Sequence, residues 1–331
     1  MHSSEARTPT PWRRRPSTLL VSALAGAVVL LGATAAQAGP VDATAARDAA
    51  VRSGTDASTA DAPRARARTW PPTAESVGVP KGTTLSAYKG SCTITKSGKV
   101  IRNKILNCAP LTIKAKGVRV ESSLIKGFVM VGTQDGFDPV QVSDPEGDDP
   151  IRVTIIDSEI HTAADSDFRP ISASHYVVKR SYLHGSFSGG ECHNACTIKW
   201  SFVQGYGEHS SGLRILRNGT LKHNTIWCEL NPDADEDNDG VADVGGGCSG
   251  NLVMYEEFGM PHHNLLKHNY FPSDPLYSSL KFNGADGGHI RVIDNLFGLP
   301  WEGKHVADDW DAKSSNTWSG NTFSDGRTAL P

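Results

Sequence analysis

Apolar residues recur at every second position in short bursts along this chain. Each burst is followed by a serine or asparagine and then by a second burst. VIRNKIL, VRVESSLIKG, VTIIDSEIHT, YVVKRSYLHG, CTIKWSFVQG, TLKHNTIWC, NLLKHNYF, IRVIDNLFG and NTWSGNTF all fit this phrase. A period of two marks a strand with one buried face, whereas a helix would show a period of 3.6. The polar position falls at Asn103, Ser123, Ser158, Ser181, Ser201, Asn224, Asn269, Asn295 and Asn321, with gaps of 20, 35, 23, 20, 23, 45, 26 and 26 residues.

A strand pattern repeating at this spacing predicts a coil in which each turn stacks on its copy about 4.8 Å away. Serine and asparagine tolerate a tight bend and can hydrogen-bond to the same residue one turn further on. The expectation is therefore an all-β, single-domain right-handed parallel β-helix of about nine turns, with a Ser/Asn ladder running along one bend. A β-sandwich would show turns every 8 to 12 residues without a fixed polar column. The two long gaps mark insertions, one near residues 135–149 and a larger one before Cys248.

The ends of the chain read differently. Arg13, Arg14 and Arg15 precede an uncharged run that ends in Ala36-Gln37-Ala38, which predicts an export signal over residues 1–38. The run is too diluted with Ala, Gly, Ser and Thr for a membrane span, so no stable anchor is expected after cleavage. Residues 39–73 lack hydrophobic periodicity and read as a disordered Ala/Arg/Thr/Pro-rich linker, leaving 74–331 for the β-helix. Export to an oxidising compartment makes the six cysteines candidates for three disulfides, of 15 possible connectivities. Proximity suggests Cys92 with Cys108, Cys192 with Cys196, and Cys228 with Cys248.

The net charge is only -3, yet DADEDNDGVAD (233–243) packs five aspartates and a glutamate into eleven residues. Asp235, Asp237, Asp239, Gly240 and Asp243 fit D-x-D-x-D-G-x-x-D. Alternating carboxylates around a glycine, with the Val241 carbonyl, supply oxygens for a hard cation. The inserted loop 230–248 is expected to hold a structural Ca2+, closed at its base by a disulfide. Its twelfth position is Gly246 rather than a glutamate, so it is no helix-loop-helix hand.

The repeating phrase resembles the right-handed parallel β-helix of the pectate-lyase-like superfamily. VPKGTTLSAYKGSCTIT (79–95), SSGLRILRNGTLKHNTIWC (210–228) and GCSGNLVMYEEFG (247–259) are similar to a group of exported bacterial β-helix proteins without an assigned reaction, over about residues 75–325. The resemblance implies that an extended polysaccharide lies along the face made by the first strand of each turn. Those strands are expected near 140–142, 171–173, 191–193, 213–215, 253–255 and 280–283.

Alternation on that face leaves His193, Arg214, Tyr255 and Lys281 pointing outward, with His209 and Glu256 at its margins and Asn283 beyond Lys281. β-Elimination of a uronate polymer needs a cation for the carboxylate, a base for the C5 proton and an acid for the leaving oxygen. Lys281, Arg214, Tyr255 and His209 form the candidate catalytic set, and His193, Glu256 and Asn283 the substrate-binding one. The reading is a secreted, monomeric polysaccharide lyase acting on an acidic polymer. The alternative is a non-catalytic glycan-binding or structural protein using the same face. The W-x-D-H and R-x-P-x-x-R segments of pectate lyases are absent, as are the paired-aspartate contexts of polygalacturonases. No phosphate loop and no basic stripe for nucleic acid occur. His262, His263 and His268 match no standard metal spacing, and Trp301, Trp310 and Trp318 suit a cap on the open end of the coil.

Overall fold

The computed structural model describes residues 69–132, 151–163, 168–206, 210–229, 248–255, 259–272, 278–282, 287–299, 305–313 and 315–331. All belong to one compact unit, Arg64–Pro331. Among them there is no helix, and every named strand pair is parallel. Strands collect into three sheets of twelve, nine and five strands, in which neighbours are one turn apart in sequence. The chain is a parallel β-helix, as the period of two requires.

A turn in the middle of the coil shows the plan. Ser210–Arg217 lies on the first face, Thr220–Lys222 on the second and Thr225–Glu229 on the third. The second face has nine strands, from Val100–Arg102 to Thr317–Ser319, one for each turn. Its inward residues form one registered column: Ile101, Val120, Ile155, Val178, Ile198, Leu221, Leu266, Val292 and Trp318. Burying each aliphatic member contributes about 1.5–3 kcal/mol, so the column is a principal source of stability. Trp318 closes it at the C-terminal end, against Phe297 and Trp310, and its indole N–H donates to the Ala329 carbonyl at 2.8 Å. The expected capping role holds for Trp310 and Trp318; Trp301 lies outside the described residues.

The ladder occupies the bend between the second and third faces. The Ser123, Ser158 and Ser181 backbone N–H groups donate to the hydroxyls of Ser158, Ser181 and Ser201 at 3.1, 3.2 and 3.2 Å. The Ser201, Asn224, Asn269 and Asn295 N–H groups donate to the side-chain oxygens of Asn224, Asn269, Asn295 and Asn321 at 3.0, 3.1, 2.9 and 2.9 Å. Each serine hydroxyl also donates to the carbonyl two residues back, while each asparagine amide reaches a carbonyl of the preceding turn. Side chains thereby satisfy the backbone groups that a bend takes out of the sheets.

Asn103 is the exception. Lys104 holds the ladder position, and its N–H donates to Ser123 Oγ at 3.0 Å. Asn103 sits one residue earlier with φ 55, in line with Ser122, Asp157, Arg180, Trp200, His223, His268 and Asp294, all at positive φ. This left-handed conformation costs a non-glycine residue about 1–2 kcal/mol, which the ladder bonds beside it offset. The side chains in this outer column meet one another: Arg180 pairs with Asp157 at 2.7 Å, and Trp200, His223 and His268 stack at 4.3 and 4.9 Å.

At the corner from the third face to the first, Gly212 lets neighbouring backbones touch, since a Cβ there would lie 2.5 Å from the Asn251 carbonyl. Toward the N-terminus the long strands Lys104–Ile113 and Leu124–Val131 continue round this corner. Ile171–Ala173 pairs with the far end of the second, and a bridge from Ser174 to Asn194 joins it to the first face.

Residues 70–87 form a strap across the outside of the coil. The Trp70 indole donates to the His268 carbonyl at 2.9 Å, Thr225 Oγ1 donates to the Pro72 carbonyl at 2.6 Å, and the Gly78 N–H donates to the Arg180 carbonyl at 3.0 Å. Ser86–Ala87 then pairs with Lys104 and Ile105. All three expected disulfides form, Cys92–Cys108, Cys192–Cys196 and Cys228–Cys248, and no free cysteine remains. In a chain-entropy model each of the two longer closures contributes about 3 kcal/mol.

Candidate functional site

The first face carries the candidate residues on Glu191–Asn194, Ser210–Arg217, Cys248–Val253, Ser278–Lys281 and His305–Asp308. Register places Glu191, Arg214, Val253, Lys281 and Asp308 in one outward column. Leu213, Leu252, Leu280 and Ala307 form its inward neighbour. Expected strand 253–255 is therefore shifted. Val253, fully buried, stands between Arg214 and Lys281, Met254 turns into the core, and Tyr255 lies past the strand end. Tyr255 still reaches the site, because the Arg214 guanidinium lies over its ring at 5.3 Å.

Glu191, which the sequence reading passed over, is the hub of the face. Although outward, it is only 2 % exposed. Arg169 Nη1 lies 2.9 Å from its Oε2, while His193 Nε2 and Arg214 Nη1 lie 3.2 and 4.0 Å from its Oε1. Burial pushes the Glu191 carboxyl up; the His193 contact and the Arg169 and Arg214 charges overcome this and hold it below the usual carboxylate range. Below it, the Tyr176 hydroxyl donates to the Glu191 carbonyl at 2.8 Å, and burial, then the Glu191 charge, pushes that phenol far up. Arg169 was missed because it precedes Pro170 in an irregular segment without alternation.

His193, expected to face a ligand in the open, is 5 % exposed and engaged with Glu191. Neither of its ring nitrogens meets hydrogen-bond geometry among the described residues, so its 3.2 Å approach to Glu191 is an electrostatic contact. Lys281, the rung before the end of the column, lies 3.7 Å from Asp308 Oδ2. Arg214 and Lys281 are two turns apart, about 9–10 Å along the coil. The structure thus brings Arg214, Tyr255 and His193 together around Glu191 and sets Lys281 beside Asp308. His209, Glu256 and Asn283 lie outside the described residues, as do the calcium-loop positions Asp235, Asp237, Asp239, Val241 and Asp243.

On the third face a second polar row runs Glu159, Tyr182, His161, His184, Gln204 and Glu229. The Tyr182 hydroxyl and Gln204 are hydrogen-bonded at 2.5 Å, and the Tyr182 phenol is pushed up to about 12 by burial and then by Glu159. At the bends, His263 stacks on His289 at 4.4 Å and His268 on His223 at 4.9 Å.

An outward column of charge along a solenoid wall defines the class of this protein, a parallel β-helix with a polar lateral face. No family model matches the chain, and no curated protein matches it either.

Proposed function

We propose that the protein is a secreted β-helix that takes an extended acidic polysaccharide along its first face and cleaves it by β-elimination. The observation that supports this reading is the outward column with Arg214 and Lys281 two turns apart, Tyr255 lying against Arg214. A polymer parallel to the coil axis would meet both cations and a phenol in succession.

In this reading Arg214 neutralises a uronate carboxylate, which acidifies the neighbouring C5–H. Lys281, released from Asp308 as an amine, takes the C5 proton; a C4–C5 double bond forms as the C4–O bond breaks. Tyr255 or His209 returns a proton to the leaving oxygen. The second reading, a glycan-binding protein without turnover, is favoured by the anions that already hold both cations, Glu191 by Arg214 and Asp308 by Lys281.

Ultraviolet absorbance of the unsaturated product, across pectate, alginate, glucuronan and glycosaminoglycans, separates the two. Lysis predicts a gain on one polymer that Lys281→Ala lowers about 100-fold or more while binding persists. Binding without any absorbance gain, abolished by Arg214→Ala, supports the second reading. Retention of no acidic polymer would overturn both.

The acidic loop 230–248 is proposed to hold one structural calcium ion, fastening the insertion between Thr225–Glu229 and Cys248–Val253. At a hundredfold excess over its dissociation constant such an ion contributes about 2.7 kcal/mol. Chelator should then lower the melting temperature by about 5–10 °C, and Asp237→Ala should reproduce that loss and remove the chelator effect. A melting temperature indifferent to chelator sinks the ion.

A further inference from the structure

The third face carries a cluster that the proposed polysaccharide surface does not use. Glu159 and His161 are two residues apart in Glu159–His161, so both side chains leave the same side of the sheet. In the adjacent strand Tyr182–His184, His184 is in register with His161 and Tyr182 with Glu159. The four residues stand at the corners of a rectangle one turn high. His184 Nε2 lies 3.0 Å from Glu159 Oε1, and the two imidazoles stack with centroids 4.4 Å apart. The ligating atoms of Glu159, His161 and His184 all fall within 4.8 Å of one another.

We propose that Glu159, His161 and His184 form a divalent-metal site for a Zn2+-type ion, with its remaining coordination positions open to solvent. A tetrahedral ion with bonds of about 2.0–2.1 Å holds its donors about 3.3 Å apart. The Glu159–His184 pair, at 3.0 Å, is close to that spacing, and a side-chain rotation of the exposed His161 brings in the third ligand. Two imidazole nitrogens and one carboxylate suit zinc and its transition-metal neighbours, whereas calcium prefers oxygen alone.

The surroundings hold this frame in place. The Tyr182 ring stacks on His184 at 3.8 Å, and Thr162 Oγ1 donates to the His184 carbonyl at 3.0 Å. Gly185, at φ +93, leaves room for the His161 ring, because a Cβ there would lie 2.6 Å from His161 Cδ2. Lys126, in register with His161 on the other side, is the opposing charge; its side chain is exposed.

Untagged full-length protein, stripped with chelator and then saturated with Ca2+ to fill any acidic-loop site, is titrated with Zn2+ by calorimetry and with Co2+ by visible absorbance. One saturable Zn2+ per chain is expected, with Co2+ bands of low-symmetry nitrogen and oxygen coordination. His161→Ala, an exposed change that leaves the coil intact, should abolish this step, and His184→Ala should do the same. His263→Ala and His289→Ala, which alter another histidine stack, should leave it unchanged. Absence of saturable Zn2+ binding, or binding that survives His161→Ala, would overturn the site.

Discussion

Glu191→Gln should destabilise the protein by about 3 kcal/mol, measured by chemical denaturation, because it leaves the partly buried Arg169 and Arg214 guanidinium groups without their anion. The volume is conserved, so the loss reports charge rather than packing. Glu191 is 2 % exposed and holds Arg169, His193 and Arg214 within 4.0 Å. The sign of the pH dependence follows. The folded carboxyl titrates below its reference value of 4.5, so its contribution is complete above that value and is lost as pH falls through the lower folded one. Stability curves of the wild type and variant should therefore converge in acid, below the ordinary carboxylate range. A gap that stays constant with pH, or one under about 1 kcal/mol at neutrality, would show that the cluster is solvated in solution.

The ladder carries the other large effect. Asn269 is fully buried and accepts from the Asn224 N–H and side-chain amide at 3.1 and 3.0 Å. Its own amide donates to the Leu221 carbonyl and to Asn295 Oδ1 at 3.0 and 3.1 Å. Asn269→Ala removes all four bonds and orphans groups in two neighbouring turns, at about 1–3 kcal/mol for each buried polar group left unmet. A loss of about 3 kcal/mol or more is expected. Ser158 makes half as many such bonds, one accepted from the Ser123 N–H and one donated to the Ile156 carbonyl. Ser158→Ala should thus cost roughly half of Asn269→Ala. Equal costs at both positions would mean that the asparagine amides add nothing to the ladder.

Alternation made the second face legible, because Ile101 through Trp318 keep their place relative to the polar position in every turn. The ladder was legible for the same reason, except at its first rung. Asparagine suits both the left-handed bend residue and the rung that follows it, so VIRNKIL alone does not distinguish Asn103 from Lys104; only the Lys104 N–H on Ser123 does. Sequence could not set the register of the first face, since loops of unequal length separate Ser210–Arg217, Cys248–Val253 and Ser278–Lys281. There nothing in the sequence marks where a strand stops, so 253–255 reads as a strand although the strand ends at Val253 and Tyr255 lies past it. Glu191 and Arg169 escaped notice because burial of charge leaves no trace in hydropathy. The zinc candidates left one: His161 and His184 each follow their ladder serine, Ser158 and Ser181, by three residues.

The strap gives assembly an order. Turns of a solenoid need only their immediate neighbours and can form as the chain emerges. Trp70, by contrast, docks on a carbonyl 198 positions later. The first residue of the strap must therefore wait for the seventh of nine turns before it can dock. With the Thr225–Pro72 bond, this remote contact makes completion of an otherwise local architecture a late, chain-wide event.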